Sequence, residues 1–137
     1  MSHIREACAC GIYGSIVAAG FHRGIEWHTH KSPLYGVNGY MQIPEGHPWS
    51  DLSYQEIDAE EWVKDEPEFD GGAWELTFKN GAWIGFDTQH AWDSWPDMSF
   101  PWRPDGTEPY DTQWTLELVA VNARRWCDLI AEAGDAL

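Results

Sequence analysis

The sequence predicts a single α+β domain: a mainly antiparallel sheet with a C-terminal amphipathic helix packed on it. Three observations carry that prediction. Two strand-like runs meet at Asn80-Gly81, the dipeptide that most strongly marks a short hairpin. An alternating run, Gly24-Ile25-Glu26-Trp27-His28-Thr29-His30, lies upstream with the period of a strand. Near the end, Leu116, Val119, Ala123, Trp126, Cys127 and Ile130 recur at the three-four spacing of one helix face. At 137 residues the chain is of one-domain size, able to bury roughly two-thirds of its unfolded surface.

Residues 1–11 carry no periodic pattern and are expected to be loosely ordered. Ile12 to Ala19 fits a strand or a short helix, and Gly14 with the β-branched Ile12, Ile16 and Val17 favours the strand, ending at Gly20. In the next run, Ile25, Trp27 and Thr29 share one face and Glu26, His28 and His30 the other. A His-x-His pair on a strand is half of many metal sites, because both imidazoles project the same way. The alternative is the exposed polar face of an edge strand. Tyr40 to Ile43 reads as a strand entered through a glycine-rich turn. Pro44-Glu45-Gly46-His47-Pro48-Trp49 is a loop, with His47 held extended before a proline.

Ser50 is placed to cap a short helix ending near Glu61. Trp62 to Phe69 is acidic and broken by Pro67, an exposed connection or edge strand. Asp70-Gly71-Gly72 is a tight turn. Ala73 to Phe78 alternates, putting Trp74, Leu76 and Phe78 on one face of a hairpin that runs to Phe86 and turns at Asn80-Gly81. Ser94 to Asp111, with four prolines and Trp95, Phe100 and Trp102, is a long loop ordered by its aromatics. Thr115 can cap the final helix, Glu117 suits its first turn, and Gly134 ends it. Cys127 falls on the apolar face and reads as a small hydrophobe.

Composition narrows the function. Aromatic residues make up 15% of the chain, ten of them tryptophan, more than one small core needs. The formal charge is −15, and from Glu45 to Glu75 eleven acidic residues face a single Lys64. That field opposes direct binding to nucleic acid or anionic membranes and suits a basic protein partner, metal cations or plain solubility. Three cysteines make no even disulfide framework, so Cys8, Cys10 and Cys127 are expected as free thiols in a reducing cytoplasm. No signal-peptide pattern and no run of ~20 apolar residues is present, so a soluble cytoplasmic protein without a membrane anchor is expected.

The chemistry-bearing residues cluster after the apolar run Ala82 to Phe86, which delivers Asp87, His90 and Asp93 into one loop. Together with His47 or Asp70, these are the candidate catalytic groups of a metal-assisted hydrolase. Asp87, His90, Asp93, His28 and His30 are the candidate ligands of a divalent metal, the one cofactor this reading requires. No helical H-E-x-x-H, nucleophile elbow or phosphate loop accompanies them. His47 meets Asp87 only if the strands ending at Ile43 and Phe86 run parallel. A non-catalytic reading takes Trp49, Trp92, Trp95, Trp102 and Asp93 as a binding surface. A third reading stacks a nucleotide-like base on the tryptophans, with a cation or Arg103 offsetting its phosphates.

Several segments line up in one order: Gly39-Tyr40-Met41-Gln42-Ile43-Pro44-Glu45-Gly46-His47-Pro48, Asp70-Gly71-Gly72-Ala73-Trp74, and Gly85-Phe86-Asp87-Thr88-Gln89-His90-Ala91-Trp92-Asp93. Together they resemble a family of small uncharacterised proteins of actinobacteriophages and related prophages. Its pattern combines G-Y-V-x-V-x-x-G-H-P, H-G-G-L-T and G-F-D-x-x-H-x-x-D. The likeness spans roughly Gly39 to Ala133. It implies a phage or prophage origin, one α+β domain and the cytoplasm of an infected or lysogenic host, with no established activity. Asp70 stands where the family has a histidine, and Trp74 stands near its leucine. The preferred expectation is an acidic accessory protein that binds a host protein, as a counter-defence or host-takeover factor whose acidic surface imitates nucleic-acid phosphates.

Overall fold

The computed structural model describes residues 12, 14–32, 36–58, 73, 75–89, 93–95 and 112–135. In chain order these form β1 (Ile16–His22), β2 (Ile25–Lys31), β3 (Val37–Gln42), α1 (Tyr54–Asp58), β4 (Phe78–Asn80), β5 (Trp83–Phe86), β6 (Asp93–Ser94), β7 (Thr112–Gln113) and α2 (Leu116–Asp135). Strands β1-β2-β3-β5-β4 make one sheet in that order, with every pairing antiparallel. β6 and β7 pair in parallel as a separate two-stranded ladder. Helix α2 lies across β2 and β3, which gives the α+β arrangement the sequence predicts. Among the described residues no helix is long and apolar enough to cross a membrane.

The first hairpin turns at Arg23-Gly24, whose φ angles of 53° and 79° fit a type I′ turn matching the twist of its strands. The second hairpin pairs Asn80 with Trp83, so its turn residues are Gly81-Ala82, one position later than Asn80-Gly81. Gly81 has φ of 58° while Ala82 stays at negative φ, the type II′ pattern with glycine at the first central position. The β4 ladder starts at Phe78 rather than Ala73, because the Leu76 N–H is taken by the Asp58 carboxylate at 3.1 Å. Leu76 joins the core under α2, whereas Phe78 packs on the opposite side of the sheet. Trp74 lies outside the described residues, as do 1–11, the Asp70-Gly71-Gly72 turn and most of the Ser94–Asp111 loop.

Other boundaries shift for local reasons. Gly14 bends the chain at φ of 92°, so β1 begins at Ile16 and runs on through Gly20 to His22. β3 begins three residues earlier than expected, at Val37. Its glycine sits within the strand: Gly39 faces Phe86 and Gly85 faces Tyr40 across the β3–β5 pair. A Cβ on Gly39 would fall 2.5 Å from the Phe86 ring, and one on Gly85 would fall 2.4 Å from Tyr40. Each ring lies over its neighbour's glycine, one on either face of the sheet. Ser53, not Ser50, caps α1: its hydroxyl accepts the Glu56 N–H (3.1 Å) and Glu56 accepts the Ser53 N–H (2.9 Å), a reciprocal capping box.

The α2-facing core joins Ile25, Trp27, Met41, Ile84 and Phe86 of the sheet to Val119, Ala123, Trp126 and Ile130. Thr115 caps α2 through its hydroxyl to the Leu118 N–H at 3.1 Å. The buried stripe starts at Val119; Leu116, in the first turn, is 50% exposed. Cys127 is fully buried, and burial pushes its thiol up to about 12, so it is a packing residue and an inert thiol. Cys8 and Cys10 lie outside the described residues.

Candidate functional site

The sheet face turned away from α2 is where the predicted polar residues gather. Period two on β2 sends Glu26, His28 and His30 to that face, β3 adds Asn38 and Tyr40, and β5 adds Trp83. β2 is not an edge strand: it lies between β1 and β3, and His28 and His30 are 6% and 1% exposed. The two imidazoles stack with centroids 5.6 Å apart. His28 also tilts against Trp83 at 4.6 Å, His30 meets Tyr40 edge-on at 5.2 Å, and Tyr40 meets Phe78 edge-on at 5.2 Å. Ile12 and Ile16 pack with Trp83, Tyr40 and Phe78 in the same layer.

Hydrogen bonds orient the rings. His28 Nε2–H donates to Glu26 at 2.7 Å, and His30 Nδ1–H donates to the Gly14 carbonyl at 3.2 Å. Asp87 follows β5 at the Asn38–Tyr40 end of this face. Burial raises the pKa of the Tyr40 phenol, a hydrogen bond from Asn38 opposes that shift, and the Asp87 charge adds to it. Asn38 Oδ1 accepts the Thr88 N–H (3.1 Å), and the buried Thr88 hydroxyl donates to the Val37 carbonyl (2.8 Å). Trp95 Nε1–H reaches Thr88 Oγ1 at 3.2 Å. The chain after Phe86 is therefore locked to the start of β3 by Thr88.

His47 is elsewhere. β3 and β5 run antiparallel, with Gly39 opposite Phe86 and Gln42 opposite Trp83, so the loop after β3 and the residue after β5 leave opposite ends of the sheet. His47 Nδ1 accepts the Trp49 N–H at 2.9 Å, and its Nε2–H donates to the Ile130 carbonyl at 2.7 Å. Both ring nitrogens are committed, and the residue is 7% exposed. It fastens the 44–49 loop to the last turns of α2 beside a cleft of about 380 Å³ lined by Arg23, Glu45 and Asp135. His90 and Asp70 lie outside the described residues, and Asp93 is placed only by its backbone in β6.

Of the tryptophans expected to face a partner, Trp49 and Trp95 are core residues at 2% and 1% exposure. Trp49 packs edge-on to Trp126, and Trp95 stacks over Trp114. Trp92 and Trp102 lie outside the described residues. Among the described residues tryptophan fills the interior: Trp27, Trp83, Trp114 and Trp126 are buried as well. Among the described residues no group of three or more His, Cys, Asp or Glu is gathered to hold a metal ion. Glu26 and His28 meet as a pair.

No family model, curated protein or solved structure matches this chain.

The site therefore has to be read from its own chemistry. The His28–His30–Tyr40 layer is a desolvated, hydrogen-bonded aromatic stack, which fixes strand register and leaves little imidazole surface to a substrate. The exposed chemistry lies outward of it, on β1 and on the acidic exterior. Sequence reasoning did not single out Asn38, Tyr40, Thr88 or Phe21. The Asn38-Gly39-Tyr40 alternation was the available signal for the first two, obscured by the glycine within it.

Proposed function

We propose that this chain is a non-catalytic, phage- or prophage-derived accessory protein that binds a basic host protein through its acidic exterior. One observation carries the reading: among the described residues most carboxylates are outward-facing, while Arg23, Lys79 and Arg124 are engaged within the chain. Glu45, Asp51, Glu56, Glu75, Glu117, Glu132 and Asp135 are all exposed. Arg23 lies 3.5–3.9 Å from Asp128, Glu132 and Asp135, and Arg124 pairs with Glu117 at 3.2 Å while covering Trp27. Lys79 donates to the Ser50 and Gly81 carbonyls. Such a surface repels polyanions, steers cationic proteins towards it and can stand in for a phosphate backbone.

The test is affinity capture from an actinobacterial host lysate, followed by reconstitution with the purified partner. The captured protein is expected to be basic. A fourfold variant, Glu45→Gln, Glu56→Gln, Glu75→Gln and Glu117→Gln, should weaken the purified complex at least ~10-fold through lost steering and charge complementarity. An acidic partner, or an affinity unmoved in the fourfold variant, overturns the reading.

A further inference from the structure

The two edges of the five-stranded sheet are unequal. β4 is three residues long and carries Lys79, the kind of short, charged edge that resists pairing with another chain. β1 is seven residues long and has neither charge nor proline from Ile16 to Phe21. Its burial alternates strictly, leaving Val17, Ala19 and Phe21 outward. Phe21 is 73% exposed and Val17 38%. A register shift between Ile16 and Ala18 disturbs only the first part of the strand, and from Ala18 to His22 the ladder with β2 is regular. Among the described residues no strand pairs with the outer side of β1.

The charge beside the turn end of this edge is mostly negative. Glu26 sits opposite Phe21 across the β1–β2 pair. At the hairpin turn, Arg23 is surrounded by Asp128, Glu132 and Asp135, and His22 Nε2–H donates to Asp128 at 2.9 Å. Four carboxylates thus flank the turn end of the strand, against Arg23 there and Arg124, which lies over Trp27 opposite Gly20. A second copy of this chain would bring another −15 to the same edge, which opposes self-pairing.

We propose that the outer edge of β1 receives an extended cationic segment of the partner as a sixth strand, resting on the basic-partner reading above. The partner's backbone would pair with Ala18 to His22, an apolar side chain would cover Phe21, and its lysines or arginines would meet Glu26 and the carboxylates around Arg23. Main-chain pairing supplies affinity in such strand addition, and alternate side chains supply selectivity.

The experiment uses the full chain and a nine-residue peptide alternating lysine and valine, with a glutamate–valine peptide as its counterpart. Binding is mapped by amide hydrogen exchange and measured by titration. The lysine peptide should protect the amides of Ala18 to His22, and the glutamate peptide should not. Phe21→Lys should weaken the lysine peptide about tenfold by placing an edge charge, whereas Gln55→Lys, an equal charge change on exposed α1, should alter it less than about twofold. Lysine-peptide binding that protects other segments and responds equally to both variants overturns the edge site while leaving the basic-partner reading intact. The edge site also falls if the purified basic partner binds and the lysine peptide does not. Equal binding of both peptides at β1 removes the cationic requirement. Concentration-dependent dimerisation abolished by Phe21→Lys makes the occupant a second copy instead.

Discussion

The two faces of the sheet are both buried at their centres, by different means. Under α2 the layer is hydrocarbon and indole: Met41, Ile84, Phe86, Trp126 and Ile130 have almost no exposed surface. On the other face His28, His30, Tyr40 and Trp83 are packed ring against ring, His28 and His30 donate to Glu26 and the Gly14 carbonyl, and Tyr40 is bonded to Asn38. Apolar burial is non-directional and supplies most of the stability, while a buried polar layer specifies register because each member needs its partner in place. The first face is best broken by removing volume, the second by disturbing geometry.

The largest effect is expected from Trp126→Ala. It opens a cavity beneath α2 and strips the Ala73 carbonyl of its 2.6 Å indole hydrogen bond, so urea unfolding should show a loss of ~3–5 kcal/mol. A loss below ~1 kcal/mol would mean that α2 does not carry the core. Next come Gly39→Ala and Gly85→Ala, which press a methyl into Phe86 on the helix side and Tyr40 on the polar side. Each should cost ~1–3 kcal/mol by overpacking. If the polar face specifies register, Gly85→Ala should also increase exchange at β2 amides around His28 and His30, an effect absent from Gly39→Ala.

A pH dependence separates a third region. Burial, reinforced by the Glu75 charge and opposed by the Leu76 N–H, raises Asp58 to about 7. The folded state therefore holds this proton more tightly than the unfolded chain. Its contribution to stability is fullest below about pH 4 and is lost as pH rises through about 7, the reverse of a salt-bridged carboxylate. Because Asp58 is partly exposed, the loss is on the order of 1–2 kcal/mol after screening. Asp58→Asn should flatten that part of the stability–pH curve. An unchanged slope would place the titrating group elsewhere. The smallest effect is Ser53→Ala, which removes one half of the α1 capping box and should cost ~0.5–1 kcal/mol by chemical denaturation.

What was legible in the sequence followed from periodicity and turn chemistry. The α2 stripe, the β2 alternation and the second hairpin each declare themselves within a dozen residues, because one face of each must meet the core. The face shared by Glu26, His28 and His30 was legible for the same reason. That it is buried was not, since burial depends on β1 and β3 flanking β2, and strand order leaves no local trace. The antiparallel β3–β5 pairing, which parts His47 from Asp87, is invisible for the same reason. Gly39 and Gly85 read as interruptions because the rings that cover them come from the neighbouring strand. Tryptophan abundance pointed outward, whereas Trp49, Trp95, Trp114 and Trp126 are buried in the core among Ile25, Met41, Ile84 and Ile130.

The most direct measurement of the central claim is the dissociation constant of the chain with its purified host partner across ionic strength. Exposed carboxylates meeting a basic protein are screened as the Debye length shrinks, so affinity should fall at least ~10-fold between about 0.05 and 0.5 M salt, mostly through a slower association rate. An affinity that holds constant or tightens with salt would contradict an acidic-surface interaction and place the contact on apolar surface instead.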